Sequence, residues 1–408
     1  MKKVLYISYD GMTDPLGQSQ VIPYLQKLAG YNYEIHILSA EKPMQYEGRK
    51  EYISGLLQAS NIYWHPIGYT KKPPVLSTIK DVFKLIGHAK KLHRQFDFQI
   101  VHCRSYIAAF AGIALKKNFG VKFLFDMRGF YADERVDGDL WPQGNPVYKM
   151  VYRYFKRREK QFFNQADYTI SLTYKGRDII HGFEGFAKIP IEVIPCCADI
   201  SLFDYHRTDS AKQDVLRKEL QLDIQHYTLC YLGSLGTWYM PDEMMLFFGL
   251  LLQKKPEARF LFITRDDPSS IYDLADTYNV PHDTIRIRPA HREEVPLLIS
   301  LCRASLFFIK PVFSKSASSP TKLAELLGMG VPVVCNAGVG DIDRFVPEYR
   351  LGILIEKTDE AGFRQAINHI DDLDAIDREH LRSVADELFS LERGVERYVK
   401  VYNQLSAS

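Results

Sequence analysis

Ser316-Ala-Ser-Ser-Pro-Thr-Lys-Leu-Ala-Glu-Leu-Leu-Gly-Met-Gly-Val-Pro-Val-Val334 is the stretch whose reading decides the fold. It predicts a helix that opens abruptly and is followed at once by a buried strand. Ser318 or Ser319 can cap the start, and Pro320 suits the first helical turn, where its missing N–H costs nothing. Gly330 is a natural stop, and Val331 to Val334 supplies a short β-branched run. At about 100° per residue, Leu323, Leu326 and Leu327 point one way while Thr321, Lys322 and Glu325 share the opposite face. Backbone N–H groups, a hydroxyl and an ammonium then gather at the positive end of the helix, which favours a phosphate; the carboxylate a turn further on is placed to accept hydrogen bonds from sugar hydroxyls. The alternative is an ordinary capped helix with a solvated Lys322–Glu325 pair. Position favours the ligand reading, because the loop after an apolar strand, here Ser305–Lys310, is where open α/β sheets bind ligands.

The same alternation of short apolar runs and helical patterns fills the chain twice. Strands are expected at Val4–Ser8, Glu34–Ser39, Ile62–Pro66, Gln99–His102, Lys122–Asp126, Tyr168–Leu172 and Glu192–Pro195. The series restarts at Thr228–Gly233, Phe260–Thr264, Thr284–Arg288, Ser305–Lys310, Val331–Cys335 and Gly352–Glu356. Strands separated by helices imply parallel sheets covered on both faces, so the fold class is α/β with two doubly wound, Rossmann-like domains. The boundary reads as Ile194-Pro-Cys-Cys-Ala-Asp-Ile-Ser-Leu-Phe203, giving domains at 1–197 and 198–388 and a terminal helix at 389–408. That helix carries Leu391, Val395, Tyr398, Val399 and Tyr402 on one face and needs a surface to bury them.

Ser-Ser-Pro-Thr-Lys-x-x-Glu-x-x-x-x-Gly-x-Pro-Val-Val resembles the nucleotide-sugar signature of retaining GT-B glycosyltransferases, family 4 type (glycosyltransferase group 1), and the resemblance extends over nearly the whole chain. It implies two domains facing across a cleft, with the last helix crossing back to the first domain. It also implies that the helix start (Ser319, Pro320, Thr321 and Lys322) holds the donor diphosphate and that Glu325 binds the ribose. The loop Asp10-Gly-Met-Thr-Asp-Pro-Leu-Gly-Gln-Ser-Gln20, expected to lead into a helix from about Val21, resembles the family's glycine-rich loop and makes Gly17 a donor-binding candidate. Arg286-Ile-Arg-Pro-Ala-His-Arg-Glu-Glu-Val-Pro296 resembles the segment whose backbone reads the nucleobase, which brings in Arg288.

The chain also departs from that pattern. After Tyr231-Leu-Gly the family commonly has Gly-Arg and a nearby lysine to clamp the diphosphate; here Ser234 stands instead, with no basic residue from 235 to 252. Arg265, Lys322 and Arg128 are the candidates to supply the charge, with Arg265 equally able to pair with Asp266 or Asp267. Eight residues before Glu325, the family's second glutamate is replaced by Ala317. Ser316 or Ser318 could stand in for it. In Phe125-Asp-Met-Arg-Gly-Phe-Tyr-Ala-Asp-Glu-Arg135 the family's histidine position is held by Asp126 and Arg128. Arg128 suits a departing phosphate, since a fixed guanidinium matches spread anionic charge. Asp126 or Glu134 could orient the acceptor hydroxyl or take its proton. A purely structural Asp126–Arg128 pair is the alternative.

Composition limits the remaining choices. With 408 residues, 46% hydrophobic, the chain has ample interior for full cores, and no run approaches the roughly eighteen apolar residues of a membrane span. A net charge of +2 is too balanced for a dedicated nucleic-acid binder. The opening apolar run is too short for a signal peptide and reads as a strand, and six cysteines without metal-like spacing suggest free thiols in a reducing cytosol. Helices Ser77–Arg94 and Tyr148–Phe163 are amphipathic and basic, through Lys80, Lys84, Lys90, Lys91 and Arg94 and through Lys149, Arg153, Lys156, Arg157, Arg158 and Lys160. Such faces are either solvated or rest on anionic lipid at the inner side of the cell membrane.

The function expected is transfer of a sugar from a nucleotide-diphosphate donor to a glycan or polyprenyl-linked acceptor in cell-surface polysaccharide biosynthesis. No Asp-x-Asp metal motif sits in a suitable loop, so no metal or cofactor is expected. The alternatives are a GT-B nucleotide-sugar 2-epimerase and a non-catalytic two-lobed binding protein. A dinucleotide oxidoreductase is disfavoured, since neither half opens with Gly-x-Gly-x-x-Gly.

Overall fold

Val4-Leu-Tyr-Ile-Ser8 shows no alternation of polar and apolar residues, and in the structure all five are buried. That is the behaviour of a strand covered on both faces, and it recurs through the chain. The computed structural model describes residues 1–407. The chain folds as two units, one built from Met1–Pro195 together with the segment from Leu391 onward, the other from Cys196–Ser390.

The first unit holds a parallel seven-stranded sheet of β1 (Lys2–Ser8), β2 (Tyr33–Glu41), β3 (Tyr63–Gly68), β4 (Ile100–Arg104), β5 (Lys122–Asp126), β6 (Tyr168–Ser171) and β7 (Ile191–Val193), in the order β3-β2-β1-β4-β5-β6-β7. The second unit holds a parallel six-stranded sheet of β8 (Thr228–Leu232), β9 (Arg259–Ile263), β10 (Ile285–Ile287), β11 (Ala304–Phe307), β12 (Val333–Asn336) and β13 (Gly352–Ile355), in the order β10-β9-β8-β11-β12-β13. Both are doubly wound α/β sheets. The direction of winding reverses between β1 and β4 in one and between β8 and β11 in the other, and beyond the carboxyl ends at such a reversal a crevice opens. Ser8, Arg104 and Asp126 are in register across β1, β4 and β5, so the segments that follow them leave the sheet side by side.

Every expected strand is present, and the differences lie at the ends. β11 stops at Phe307 rather than Lys310 because the next residues leave the ladder. The Asn336 side chain takes both the N–H and the C=O of Ile309 at 2.8 Å each, and Ile309 bridges Tyr239. The loop expected over Asp10–Gln20 contains a short helix, Pro15–Gln20, with proline at its first position, followed by a second helix, Ile22–Ala29. The terminal helix, Leu391–Ala407, packs on Ile22–Ala29 and β4 within the first unit. Its buried face uses Val401 where Val399 was expected, alongside Leu391, Val395, Tyr398 and Tyr402.

Two basic residues are drawn away from the amphipathic faces expected of them. Lys84 bonds the carbonyl of Gly68, the Thr70 hydroxyl and Asp81, while Lys156 bridges Asp133 at 2.8 Å and the buried Glu159 at 2.6 Å. Gly17 is likewise accounted for by packing. A Cβ there would lie 2.3 Å from the Gly11 carbonyl oxygen and 2.7 Å from the Met12 Cα, so its missing side chain lets the short helix close on its own loop. Gly17→Ala is therefore expected to destabilise the protein by about 1–3 kcal/mol. Gly87→Ala, within the helix Leu76–Phe96 and with nothing in reach of the new methyl, should stabilise it by about 0.5–1 kcal/mol. Urea unfolding of the two variants reads the difference.

Candidate functional site

The defining helix runs Thr321–Gly328, and its Leu323, Leu326 and Leu327 are buried as the periodicity demands. Neither serine caps it. Pro320 occupies the N-cap position and no side-chain hydrogen bond closes the end; Ser319 instead accepts the N–H of Cys196 at 3.2 Å. The first-turn N–H groups thus have no capping side chain. Gly330, with φ at +63°, ends the element.

Lys322 and Glu325 are not a solvated pair, for each is only 7% exposed. The Lys322 ammonium makes no hydrogen bond and lies 4.0 Å from the centroid of the Tyr231 ring and 3.8 Å from that of Tyr239. Burial pulls this lysine down to about 7, with Glu325 opposing the shift. Cation–π attraction offsets part of the desolvation but provides no acceptor. The cage exists because Met240 N–H bonds Phe308 O at 3.1 Å and Lys310 N–H bonds Trp238 O at 2.9 Å, which lays the loop after β8 over the end of β11. Trp238 in the same loop covers a second cation, with the Lys315 ammonium 3.6 Å from its ring centroid. Gly233, with φ at +103°, would place a Cβ 3.7 Å from the Lys322 ammonium. Where the resembled pattern has arginine and lysine, this chain has two aromatic residues gripping lysines from elsewhere. That arrangement was not legible in the sequence.

Glu325 accepts one hydrogen bond, from Arg292 Nη1 to Oε1 at 3.0 Å. Burial raises its carboxyl and the Arg292 guanidinium opposes the rise. The other donor candidates are engaged elsewhere in the unit. Arg265 pairs with neither Asp266 nor Asp267; it clamps the carbonyl of Ala290 through Nε and Nη2 at 3.2 and 2.9 Å. Arg288 bonds Glu219 at 2.8 Å, and the Ser234 hydroxyl donates to Asp266 at 2.9 Å. Ala317 is fully buried, leaving no side-chain polar group at that position.

In the first unit Asp126 is the hub of a buried cluster at the ends of β4 and β5. Tyr398 donates to its Oδ2 at 3.1 Å; His102 Nε2, Arg128 Nη1 and Arg104 Nη1 stand 3.6, 3.8 and 4.0 Å from the same oxygen. The Tyr402 hydroxyl is 2.8 Å from His102 Nδ1. Burial alone would raise the Asp126 carboxyl, but Arg128, His102 and Arg104 hold it down at about 2. A carboxylate so weakly basic, and 1% exposed, does not serve as a proton acceptor near neutral pH, and this corrects the reading of Asp126 as a base. Arg128 has φ at +59° and turns the chain sharply where it leaves β5. Glu134 sits half-buried in the first turn of the helix Tyr131–Asp137. Sequence reading missed Tyr398 and Tyr402 in this cluster. The only available signal was the tyrosine stripe of the last helix.

Residues 20–202 match the family described as Glycosyltransferase Family 4. The chain has the GT-B fold. Among solved structures, sucrose-phosphate synthase from Thermosynechococcus elongatus is similar at 16% identity over 100% of both chains, with a TM-score of 0.72. Anabaena HepE, solved in complex with UDP and glucose, is similar at 13% identity over 99% of this chain and 100% of its own, with a TM-score of 0.69. A putative UDP-N-acetylglucosamine 2-epimerase from Listeria monocytogenes shares the fold at 12% identity over 100% and 98%, with a TM-score of 0.61. No curated protein sequence matches the chain.

The buried ammonium has a stability signature. Its pKa lies near 7 in the folded chain against 10.5 ordinarily, so between those values the unfolded chain binds the extra proton and stability contributed by this group rises with pH. Lys322→Met removes the penalty. The variant is expected to be more stable than wild type by about 1–4 kcal/mol at pH 6, and the gain should shrink as pH rises from 7 to 9. Thermal melts across that range test it.

Proposed function

We propose that the chain is a glycosyltransferase that takes a sugar from a nucleoside-diphosphate donor held in the second unit and passes it to a glycan or lipid-linked acceptor. The observation that carries this reading is the Lys322 ammonium, buried without an acceptor at the opening of a helix beside the point where the sheet order reverses. A diphosphate supplies the missing anion, the uncapped N–H groups near Thr321 bind its oxygens, and Glu325 one turn on takes the ribose hydroxyls. HepE, with the same fold, binds UDP and UDP-glucose, which supports a donor of this class. Helix N–H groups and fixed cations would stabilise the leaving diphosphate, so catalysis without a metal ion belongs to the proposal. In the first unit Glu134 is the carboxylate assigned to the acceptor hydroxyl, and Arg128, steadied by Asp126, is the cation assigned to the reacting face. Retention of configuration belongs to the proposal through the family resemblance.

A lipid-linked acceptor and a role in cell-surface polysaccharide synthesis form its finer part. They are supported by two exposed apolar stripes on the basic helices. Leu76, Ile79 and Phe83, at 64, 47 and 70% exposure, recur at helical spacing beside Lys80, and Val147, Met150 and Tyr154 do so beside Lys149 and Arg153. Apolar groups flanked by cations suit the interface of an anionic membrane. No helix among the described residues is long and apolar enough to cross one.

Two experiments test the reading. UDP, GDP, ADP, CMP and dTDP are screened by thermal shift in the presence of EDTA, against wild type, Lys322→Ala and Glu325→Ala. One diphosphate is expected to raise the melting temperature by several degrees at a hundredfold excess over Kd, and both variants to lose most of that shift. Equal shifts in the variants would sink the donor site, and turnover of a nucleotide-sugar without any acceptor would favour the epimerase. In the second experiment the wild type is expected to co-sediment with phosphatidylglycerol vesicles and Leu76→Ser/Phe83→Ser to do so several-fold less; a wild type that stays in the supernatant removes the membrane part.

A further inference from the structure

Arg292 lies in the segment expected to read the nucleobase through its backbone, yet its side chain is the sole hydrogen-bond partner of the Glu325 carboxylate among the described residues. The contact is one-sided. Nη1 reaches Oε1, while Oε2 makes no hydrogen bond. The guanidinium also lies over the Phe203 ring, 5.2 Å from its centroid, which fixes its plane against a buried residue. Arg265 clamps the carbonyl of Ala290, two residues before Arg292, and His291 N–H bonds Glu294 at 2.7 Å, so the loop bearing Arg292 is held from both sides. The result is a carboxylate on a buried residue with one oxygen held by Arg292 and the other open.

A carboxylate in that condition is a demanding acceptor. A ribose presents two adjacent hydroxyls, and each can donate to it. A 2′-deoxyribose offers one, and the charge left short of a donor in a dry site costs far more than the same loss in water. We infer that Arg292 is the positioning residue that holds Glu325 as a fixed reader of the ribose cis-diol, so that the chain accepts ribonucleoside diphosphates and rejects their 2′-deoxy counterparts. The inference rests on the donor reading above and adds to it a selection among donors. Nothing in the mechanism requires Arg292 to touch the nucleotide; it acts through Glu325.

The test pairs UDP with dUDP, GDP with dGDP and ADP with dADP in calorimetric titrations of the full chain, with inorganic pyrophosphate as a ligand that has no sugar. Wild type is expected to prefer the ribo member of whichever pair it binds by at least about tenfold. In Arg292→Gln that preference should fall to within about twofold, chiefly through loss of ribonucleotide affinity, while the affinity for pyrophosphate stays unchanged. Arg292→Lys should recover part of the preference, because it keeps the charge and loses the planar fork. Removing the guanidinium leaves Lys322 alone to oppose burial at Glu325, so the acid limb of ribonucleotide binding should move to higher pH in Arg292→Gln. A wild type that binds both members of a pair equally overturns the inference, as does an Arg292→Gln variant that keeps the preference. If wild type binds none of the six nucleotides, the donor reading itself fails and this inference fails with it.

Discussion

A cation kept out of water without an acceptor is expensive, and the second unit is shaped around one. The Lys322 ammonium is tolerated because two tyrosine rings replace part of its hydration; Tyr231 is set by β8, and Tyr239 is in place because β11 ends early. Asn336 holds Ile309 out of the ladder, the loop after β8 bonds the freed residues, and Tyr239 is carried over the lysine. Each step follows from satisfying backbone polar groups that would otherwise be buried alone. The free energy forgone in the unliganded protein is what a bound anion would recover, which is how binding sites come to be local weak points of a fold.

The first unit handles the same problem in the opposite way. Its buried carboxylate, Asp126, is surrounded by three nitrogen-bearing groups and a tyrosine hydroxyl. A charge so well compensated is rigid and weakly basic. It holds Arg128 and His102 in fixed positions. The two units thus divide the demands made of buried charge, one keeping a cation without an acceptor, the other an anion ringed by cations on one of its two oxygens.

The strands were legible because each is a short apolar run between polar helices, and parallel order followed from the spacing of those runs. Their ends were less so, since a strand stops where some distant side chain takes its hydrogen bonds. Nothing in Ser305–Lys310 announces Asn336. The helix Thr321–Gly328 was legible from its leucines, and the positions of Lys322 and Glu325 on its other face were right, but their burial was not foreseen: a helical wheel shows which residues share a face, never what covers it. Arg292 and the tyrosine cage are contacts between residues far apart in sequence, and no local pattern encodes them. Gly17 shows the converse, a residue whose type suggested a ligand and whose place is explained by the carbonyl of Gly11.

The helix Leu391–Ala407 supplies Tyr398 and Tyr402 to a cluster otherwise built from residues 102 to 128. The first unit is therefore begun before Cys196–Ser390 is made and completed after it. Until residue 402 has been made, Asp126 and His102 lack their tyrosine partners, and the apolar surface of Ile22–Ala29 and β4 that the helix covers is open. The whole of Cys196–Ser390, a compact unit with its own sheet, is synthesised during that interval. At the synthesis rates typical of cells this leaves the amino-terminal sheet incomplete for roughly ten seconds or longer. The chain's exposure to misassembly is set by that delay, and the helix Leu391–Ala407 ends it.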